Sequence, residues 1–251
     1  MPSQTFFKSA EHTNILLEDF TTGLMVQANQ HVVVHQNHAM ILDPGGHKTY
    51  AGALAEISAL VPTSGLDYLF FSHQDPDIIA AANGWLMVTE AQALIPQIWT
   101  RFVMHFGVDD MMADRIIGIP DEGMRVKLGD CELLLLPAHF LHSPGNFHVY
   151  DPVSKILYSG DLGASLGMNY TVVPDFNAHL QYMEGFHRRY ISSNKALKAW
   201  AAMVKQLEID IILPQHGAAF ANKEHVTQFI AWLEGLACGV DLLPNQFGLP
   251  K

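Results

Sequence analysis

Apolar and polar positions along the chain divide it into two successive halves, each of strands followed by helices. Residues 23–27, 31–35 and 40–43 are short, largely apolar runs between polar or glycine breaks, and they predict antiparallel strands of a first sheet. Residues 47–60 place apolar side chains near Leu54, Ile57, Ala59 and Leu60, the spacing of a helix with one buried face. Residues 68–72 are apolar and aromatic and predict a buried strand. Asp75 then stands where it can cap a helix that starts at Pro76 and continues, Ala-rich, through Leu86. Residues 96–106 carry the aromatics Trp99, Phe102 and Phe106. In the second half, strands are predicted at 125–128, 131–136, 147–150 and 156–159. A helix over 194–207, capped by Asn194, shows Leu197, Trp200, Met203, Val204 and Leu207 on one face, and an apolar strand at 209–213 and a last helix at 223–236 follow. This order predicts an α/β fold of the α+β type, an αββα sandwich.

Composition narrows the class. With 251 residues, 49% of them hydrophobic, the chain can fill a large core, and the absence of low-complexity or Pro/Ser-rich stretches predicts one domain over residues 1–251. Fourteen Lys and Arg against twenty-five Asp and Glu leave a net charge of −11, which disfavours a nucleic-acid partner because phosphate neutralisation needs a basic face. Cys131 and Cys238 have no metal-type spacing and read as buried free thiols. Residues 1–8 lack the apolar centre of a signal peptide, and no apolar run reaches membrane-spanning length. The protein is expected in the cytoplasm, away from membranes.

The chemistry gathers at four strand ends. Phe70-Phe71-Ser72-His73-Gln74-Asp75-Pro76-Asp77 puts an imidazole and two carboxylates where a strand gives way to a helix. Leu136-Pro137-Ala138-His139-Phe140-Leu141-His142-Ser143-Pro144-Gly145 carries His142 into a Pro-Gly turn. Ile156-Leu157-Tyr158-Ser159-Gly160-Asp161 ends on Asp161 among glycines, and Ile211-Ile212-Leu213-Pro214-Gln215-His216-Gly217 ends on His216. Rigid strands with ligands at their tips are how α/β folds build sites. Imidazole nitrogens and carboxylate oxygens converging on one point bind divalent metal.

The order His-x-Asp-x-Asp, His-Ser-Pro-Gly, Ser-Gly-Asp and Pro-x-His-Gly resembles the metallo-β-lactamase superfamily. Its hydrolases usually carry His-x-His-x-Asp-His in the first motif. Here Asp75 stands for the second His and Ile78 for the last. A carboxylate at the second position is similar to the flavodiiron branch, and the chain looks most like the short, flavin-free, oxygen-binding diiron proteins that serve bacteria as oxygen sensors. The phrases Ile98-Trp99-Thr100-Arg101-Phe102 and Gly185-Phe186-His187-Arg188-Arg189-Tyr190 add to the likeness. The resemblance implies a first metal on His73, Asp75 and His142, a second on Asp77 and His216, and Asp161 bridging them. Ile78 cannot coordinate, which implies a second metal short of protein ligands and a position open to a small ligand such as dioxygen. His139 is an alternative ligand.

Two divalent ions with three carboxylates leave a formal charge of plus one. Carboxylate bridging suits iron, which changes oxidation state where zinc does not. Zinc and manganese also suit the ligand set, and iron is favoured by the resemblance. The resemblance further implies dioxygen as ligand, no flavin in this chain, and a signalling partner such as a chemotaxis receptor. Sensing stands ahead of turnover, and any turnover would be oxygen or nitric oxide reduction with a separate electron donor. The rival readings are a zinc-dependent hydrolase and a binding module that has lost its second metal.

Other residues have simpler readings. His31, His35 and His38 read as packing or surface histidines, and His105 as a packing residue near the mouth of the site. His187, Arg188 and Arg189 suggest a surface pair or a contact in a homodimer. Tyr170 and Tyr190 are candidates to hydrogen-bond bound dioxygen. Met111, Met112 and Trp99 fill the core or a dimer face.

Overall fold

The computed structural model describes residues 3–245 and 248–249. Seven strands form the first sheet in sequence order: β1 (Gln4–Lys8), β2 (His12–Leu16), β3 (His31–His35), β4 (His38–Leu42), β5 (Leu66–Phe70), β6 (Gln92–Pro96) and β7 (Ile116–Ile119). The pairs from β1 to β4 are antiparallel, and those from β4 to β7 are parallel. The second sheet comprises β8 (Met124–Leu128), β9 (Cys131–Pro137), β10 (Phe147–Asp151), β11 (Ile156–Tyr158) and β12 (Ile211–Leu213), in the order β12-β11-β10-β9-β8. Here β8 to β11 are antiparallel and β11 pairs parallel to β12.

Three apolar layers define the stacking. Val33, Met40, Leu42, Phe70 and Leu94 of the first sheet pack against Leu133, Leu135, Phe147, Val149 and Tyr158 of the second. The outer face of the first sheet is covered by the helices α1 (Tyr50–Leu60), α2 (Pro76–Ile79), α3 (Ala82–Val88) and α4 (Thr100–Val103). There Ile57, Trp85 and Leu86 bury against Ile41 and Leu69. The second sheet is covered by α5 (Phe176–Tyr190), α6 (Asn194–Val204) and α7 (Lys223–Gly235), through Met183, Trp200, Phe229 and Leu233. The result is the expected αββα sandwich. Strands β9, β11 and β12 run the same way, so their C-terminal tips share one end of it.

The departures from the sequence expectation have physical causes. Residues 23–25 form a turn and residues 26–27 are irregular, and the first sheet takes β1 and β2 from residues 4–16 instead. The inward positions of β2 are His12, Asn14 and Leu16, so polar side chains occupy the face that an apolar pattern would mark. Edge strand β7 keeps only Ile119 fully buried. Helix α5 was hidden because its buried face alternates Phe176 and Met183 with His179 and His187. The helix expected over 76–86 breaks at Ala80 and Ala81 into α2 and α3. Ser193, not Asn194, caps α6, its hydroxyl accepting from Ala196 N. The Asn194 amide instead donates to the carbonyls of Leu233 (3.2 Å), Glu234 (3.0 Å) and Leu236 (2.9 Å), tying the start of α6 to the end of α7.

Both cysteines are buried free thiols, as expected. His31 and His35 are buried, whereas His105 is exposed and away from the site cavity. Met111 is exposed, and Met112 and Trp99 pack on the helix-side core of the first sheet. Among the described residues, no helix is long and apolar enough to cross a membrane.

Buried neutral histidines make the fold acid-sensitive. Burial pushes His31 down to about 4, His148 to about 3 and His187 to about 4 from the ordinary 6.5. Between pH 6.5 and pH 4 the unfolded chain binds more protons than the native one at these rings. They outnumber the opposing carboxylate Asp43, raised by burial to about 6, so stability rises with pH in that window. The thermal midpoint, followed by scanning calorimetry, should fall steeply as pH drops from 6.5 to 4. A flat profile across that interval would contradict the burial of these rings.

Candidate metal centre

The four strand tips named above meet at one end of the sandwich. The chain leaves β5 at Phe70 and is held on both sides. Phe71 N donates to Leu94 O (3.0 Å), Ser72 N donates to Asp43 Oδ1 (2.7 Å), and Phe147 N, in the other sheet, donates to Ser72 O (2.9 Å). His73 thus sits, wholly buried, at the junction of the two sheets. Its Nδ1 lies 2.9 Å from Ser72 Oγ, which leaves Nε2 pointing into the site. Asp75 occupies the cap position of α2 but makes no capping bond. Its Oδ2 lies 3.5 Å from the Nε2 atoms of both His73 and His142.

His142 stands in the loop after β9. That loop is closed by Ala138 N to Asn146 O (2.9 Å) and by Ser143 Oγ donating to Gln74 Oε1 (2.6 Å), which links it to the first motif. Asp161 follows β11, where Gly160 adopts a positive φ of 50° and its carbonyl accepts from Gln215 N (2.7 Å). His216 follows β12. Its Nδ1 donates to Gln27 O at 2.6 Å, so its Nε2 is also left facing inward.

Asp161 joins two groups. Its Oδ2 is 3.1 Å from His142 Nε2 and 3.9 Å from His73 Nε2, and its Oδ1 is 3.6 Å from His216 Nε2. His216 Nε2 is in turn 3.4 Å from Asp77 Oδ2. The Nε2 atoms of His73 and His142 approach to 3.1 Å. Asp161 Oδ1 is buried without a hydrogen-bond partner, a costly state for a carboxylate oxygen unless a cation meets it. Ligating atoms of His73, His142 and Asp161 fall within 4.8 Å of one another. This is a donor set that fits divalent metal.

Electrostatics agree. Burial alone would raise Asp161, but the imidazoles of His73, His142 and His216 hold it at about 2. Burial would lower His142, but Asp161 and Asp75 raise it to about 10. Against its own burial, Asp75 is held below the usual carboxylate range by His142 and His73. The carboxylates are ionised and the charge they attract is positive.

All six expected side chains come together here. Ile78 does not, and it is wholly buried in the apolar layer under the first sheet. His139 also stays out, its Nε2 bonded to Asp121 O at 2.7 Å. A cavity of about 700 Å³ opens over the group, walled by Met25, Val26, Leu166, Phe186 and Tyr190. Among the described residues lining it there is no imidazole or carboxylate beyond Asp75, Asp77, His142, Asp161 and His216. Phe186 and Tyr190 stack with centroids 4.8 Å apart, and both meet the His142 ring edge-on, at 6.0 and 5.8 Å. Tyr170 is not part of this wall; its hydroxyl pairs with His179 Nδ1 at 3.0 Å. His187 is buried rather than at the surface, with Nε2 accepting from Gly163 N (2.9 Å) behind Asp161. Arg188 pairs with Glu184 at 3.2 Å, the expected exposed ion pair. Gln27, which orients His216 through its carbonyl and Gly217 N through its side chain (2.8 Å), carries no signal in the sequence.

The four layers and a two-lobed histidine–carboxylate cluster at one sheet edge define a metallo-β-lactamase-fold protein with a dimetal-type site. A family model described as ODP family beta lactamase matches residues 26–217, and the chain belongs to that family. The structure superposes on that of the peroxy diiron species of the chemotaxis sensor ODP with a TM-score of 0.88, at 38% identity over 98% of this chain and 100% of that one. The apo state of chemotaxis sensor ODP from T. denticola gives the same TM-score of 0.88 and 38% identity, over 98% and 99% of the two chains. Rubredoxin oxygen:oxidoreductase from the anaerobe Desulfovibrio gigas shares the fold, with a TM-score of 0.76 and 15% identity over 92% of this chain and 61% of its own. No curated protein matches the sequence at a significant level.

Proposed function

We propose that this chain, acting as one domain, is a cytoplasmic non-haem diiron protein that binds dioxygen and reports it to a signalling partner such as a chemotaxis receptor. One observation carries the reading. Asp161 presents Oδ2 to His73 and His142 and its otherwise unpartnered Oδ1 to His216, the stance of a carboxylate between two cations. The family membership and the 38% identity to a chemotaxis sensor described in a diiron state support it.

In this reading His73, Asp75 and His142 would hold one iron, Asp77 and His216 would hold the other, and Asp161 would serve both. Ferrous iron, when bound, supplies electrons and coordination positions for dioxygen. The chain supplies the rest. The Ser72 hydroxyl and the Gln27 carbonyl hold the rings of His73 and His216 with Nε2 inward. Ile78 contributes no donor on the second side. The stacked Phe186 and Tyr190, with Met25, Val26 and Leu166, make a largely apolar wall beside which a neutral diatomic molecule can reach the cluster, with Arg189 the one Lys or Arg among the described residues of the lining. The carboxylate-rich ligand set favours iron over a zinc hydrolase.

The test is anaerobic loading with ferrous iron, metal analysis, and exposure to air while the near-ultraviolet spectrum is recorded. Two irons per chain and a new absorption on admitting air are expected. A flat trace with iron retained would contradict oxygen chemistry. Tight zinc with strong ester or thioester hydrolysis would establish the hydrolase instead.

A further inference from the structure

At the opposite end of the strands lies a second cluster that the iron reading does not use. His12 (β2) and His35 (β3) face each other with their Nδ1 atoms 3.2 Å apart. Each turns Nε2 to a carboxylate: His12 to the wholly buried Asp151 Oδ2 at 2.7 Å, and His35 to Asp130 Oδ1 at 2.5 Å. Asp151 is ionised and firmly placed, because Oδ2 also accepts from Asn14 Nδ2 (2.7 Å) and Ser154 Oγ (2.6 Å) and Oδ1 accepts from Val153 N (3.0 Å). The third member is Cys131 at the start of β9, and one ligating atom from each of His12, His35 and Cys131 lies within 4.8 Å of the others.

The protonation follows from the partners. Carboxylates only accept, so both Nε2 atoms carry hydrogen. The two Nδ1 atoms must then share one proton, or turn bare lone pairs toward a common cation. Two imidazoles on one tetrahedral zinc, with bonds of about 2.05 Å, place their nitrogens about 3.3 Å apart. The spacing here already matches. The imidazole–carboxylate pairing is the one that metal-bound histidines make, since it fixes the tautomer and raises the basicity of the other nitrogen. A thiol beside two such rings adds the ligand that selects a borderline or soft ion.

We infer that His12, His35 and Cys131 form a metal site for one thiophilic divalent cation, zinc first, separate from the Asp161 centre. The charges balance. Without metal the imidazole pair carries one shared proton and Cys131 is a thiol that donates to Leu128 O at 3.1 Å. Burial keeps that thiol protonated, at about 11. Entry of M²⁺ releases both protons to solvent, forms two N–M bonds and one S–M bond, and leaves the net charge of the cluster unchanged. His35 and Cys131 are 7% and 9% exposed, beside the exposed Asp130, which marks the path of entry and leaves the fourth position to water. The site would clamp β2, β3 and β9, which belong to different sheets.

Cobalt(II) tests this, because only a thiolate ligand gives it an intense near-ultraviolet charge-transfer band and the Asp161 centre has no thiol. Full-length protein titrated with Co²⁺ should develop that band with one equivalent per chain. Cys131→Ala should abolish it and Cys238→Ala should leave it. Asp130→Asn, at an exposed position, should keep the band but weaken Co²⁺ binding there by roughly 10-fold or more. No thiolate band in the wild-type protein, a band that survives Cys131→Ala, or unchanged affinity in Asp130→Asn would overturn the assignment. Asp77→Ala and His216→Ala should not affect the band, which keeps this result independent of the iron reading.

Discussion

Asp161→Ala should cost the protein both irons, whereas Asp77→Ala should cost it one. Among the described residues, Asp161 is the only side chain whose two oxygens address both halves of the cluster. Without it, His73 and His142 keep only Asp75, and His216 keeps only Asp77. Each half loses an anionic donor in a buried setting where charge compensation is strongly felt. Iron per chain after anaerobic loading and desalting should fall from about two to well below one, because losing a ligand costs more affinity than the roughly 10–100-fold that follows removal of a group that merely orients one. In Asp77→Ala it should settle near one. Asp161→Ala also removes the carboxylate that pairs with His142 at 3.1 Å, so some stability is lost with the irons, and circular dichroism recorded beside the iron analysis should still show a folded protein. Equal iron content in Asp161→Ala and wild type would remove the bridge from the account.

Gly217→Ala should be strongly damaging for a single added methyl. Gly217 has a φ of +82°, where an L residue is strained by about 1–2 kcal/mol. Space adds to this, because a Cβ there would lie 2.1 Å from Ser165 Oγ and 2.3 Å from the Ser165 carbonyl oxygen. The second contact is with backbone and cannot be relieved by a rotamer change. The segment is also tied down: Gly217 N donates to Gln27 Oε1 (2.8 Å), and Asn29 Nδ2 donates to Gly217 O (3.0 Å). Relief must therefore move residues 216–217 as a unit, and His216 with them. A loss of about 3 kcal/mol in urea unfolding is expected, together with selective loss of the iron held by Asp77 and His216. A variant as stable and as fully loaded as wild type would show that this turn does not position His216.

The candidate ligands were legible because each follows an apolar strand within a few residues, in the loop or first helical turn after it, and a strand's alternation and end can be read locally. The apolar face of α6 and the extent of α7 were legible for the same reason. What stayed hidden depends on contacts between distant segments. Strand β2 turns His12 and Asn14 inward, where Asp151 and Tyr158 of the other sheet satisfy them. Helix α5 buries His179 and also His187, which the sequence reading places at the surface or in a dimer contact. Residues 23–25 turn at Gly23, which has a positive φ of 65°, and the Gln27 carbonyl is then taken by His216 Nδ1 at 2.6 Å instead of by a neighbouring strand. The cap of α6 shifted by one residue because Asn194 has a better use at the end of α7. The His12–His35–Cys131 cluster is drawn from three strands of two sheets and has no sequence spacing at all.

The central claim is that two irons flank Asp161. Crystals grown from protein loaded anaerobically with ferrous iron, with diffraction recorded on both sides of the iron absorption edge, test it most directly. The account predicts two anomalous peaks, one among His73, Asp75 and His142 and one beside Asp77 and His216, with an Asp161 oxygen on each. A single peak, or two peaks with the Asp161 carboxylate turned away from either, would contradict it.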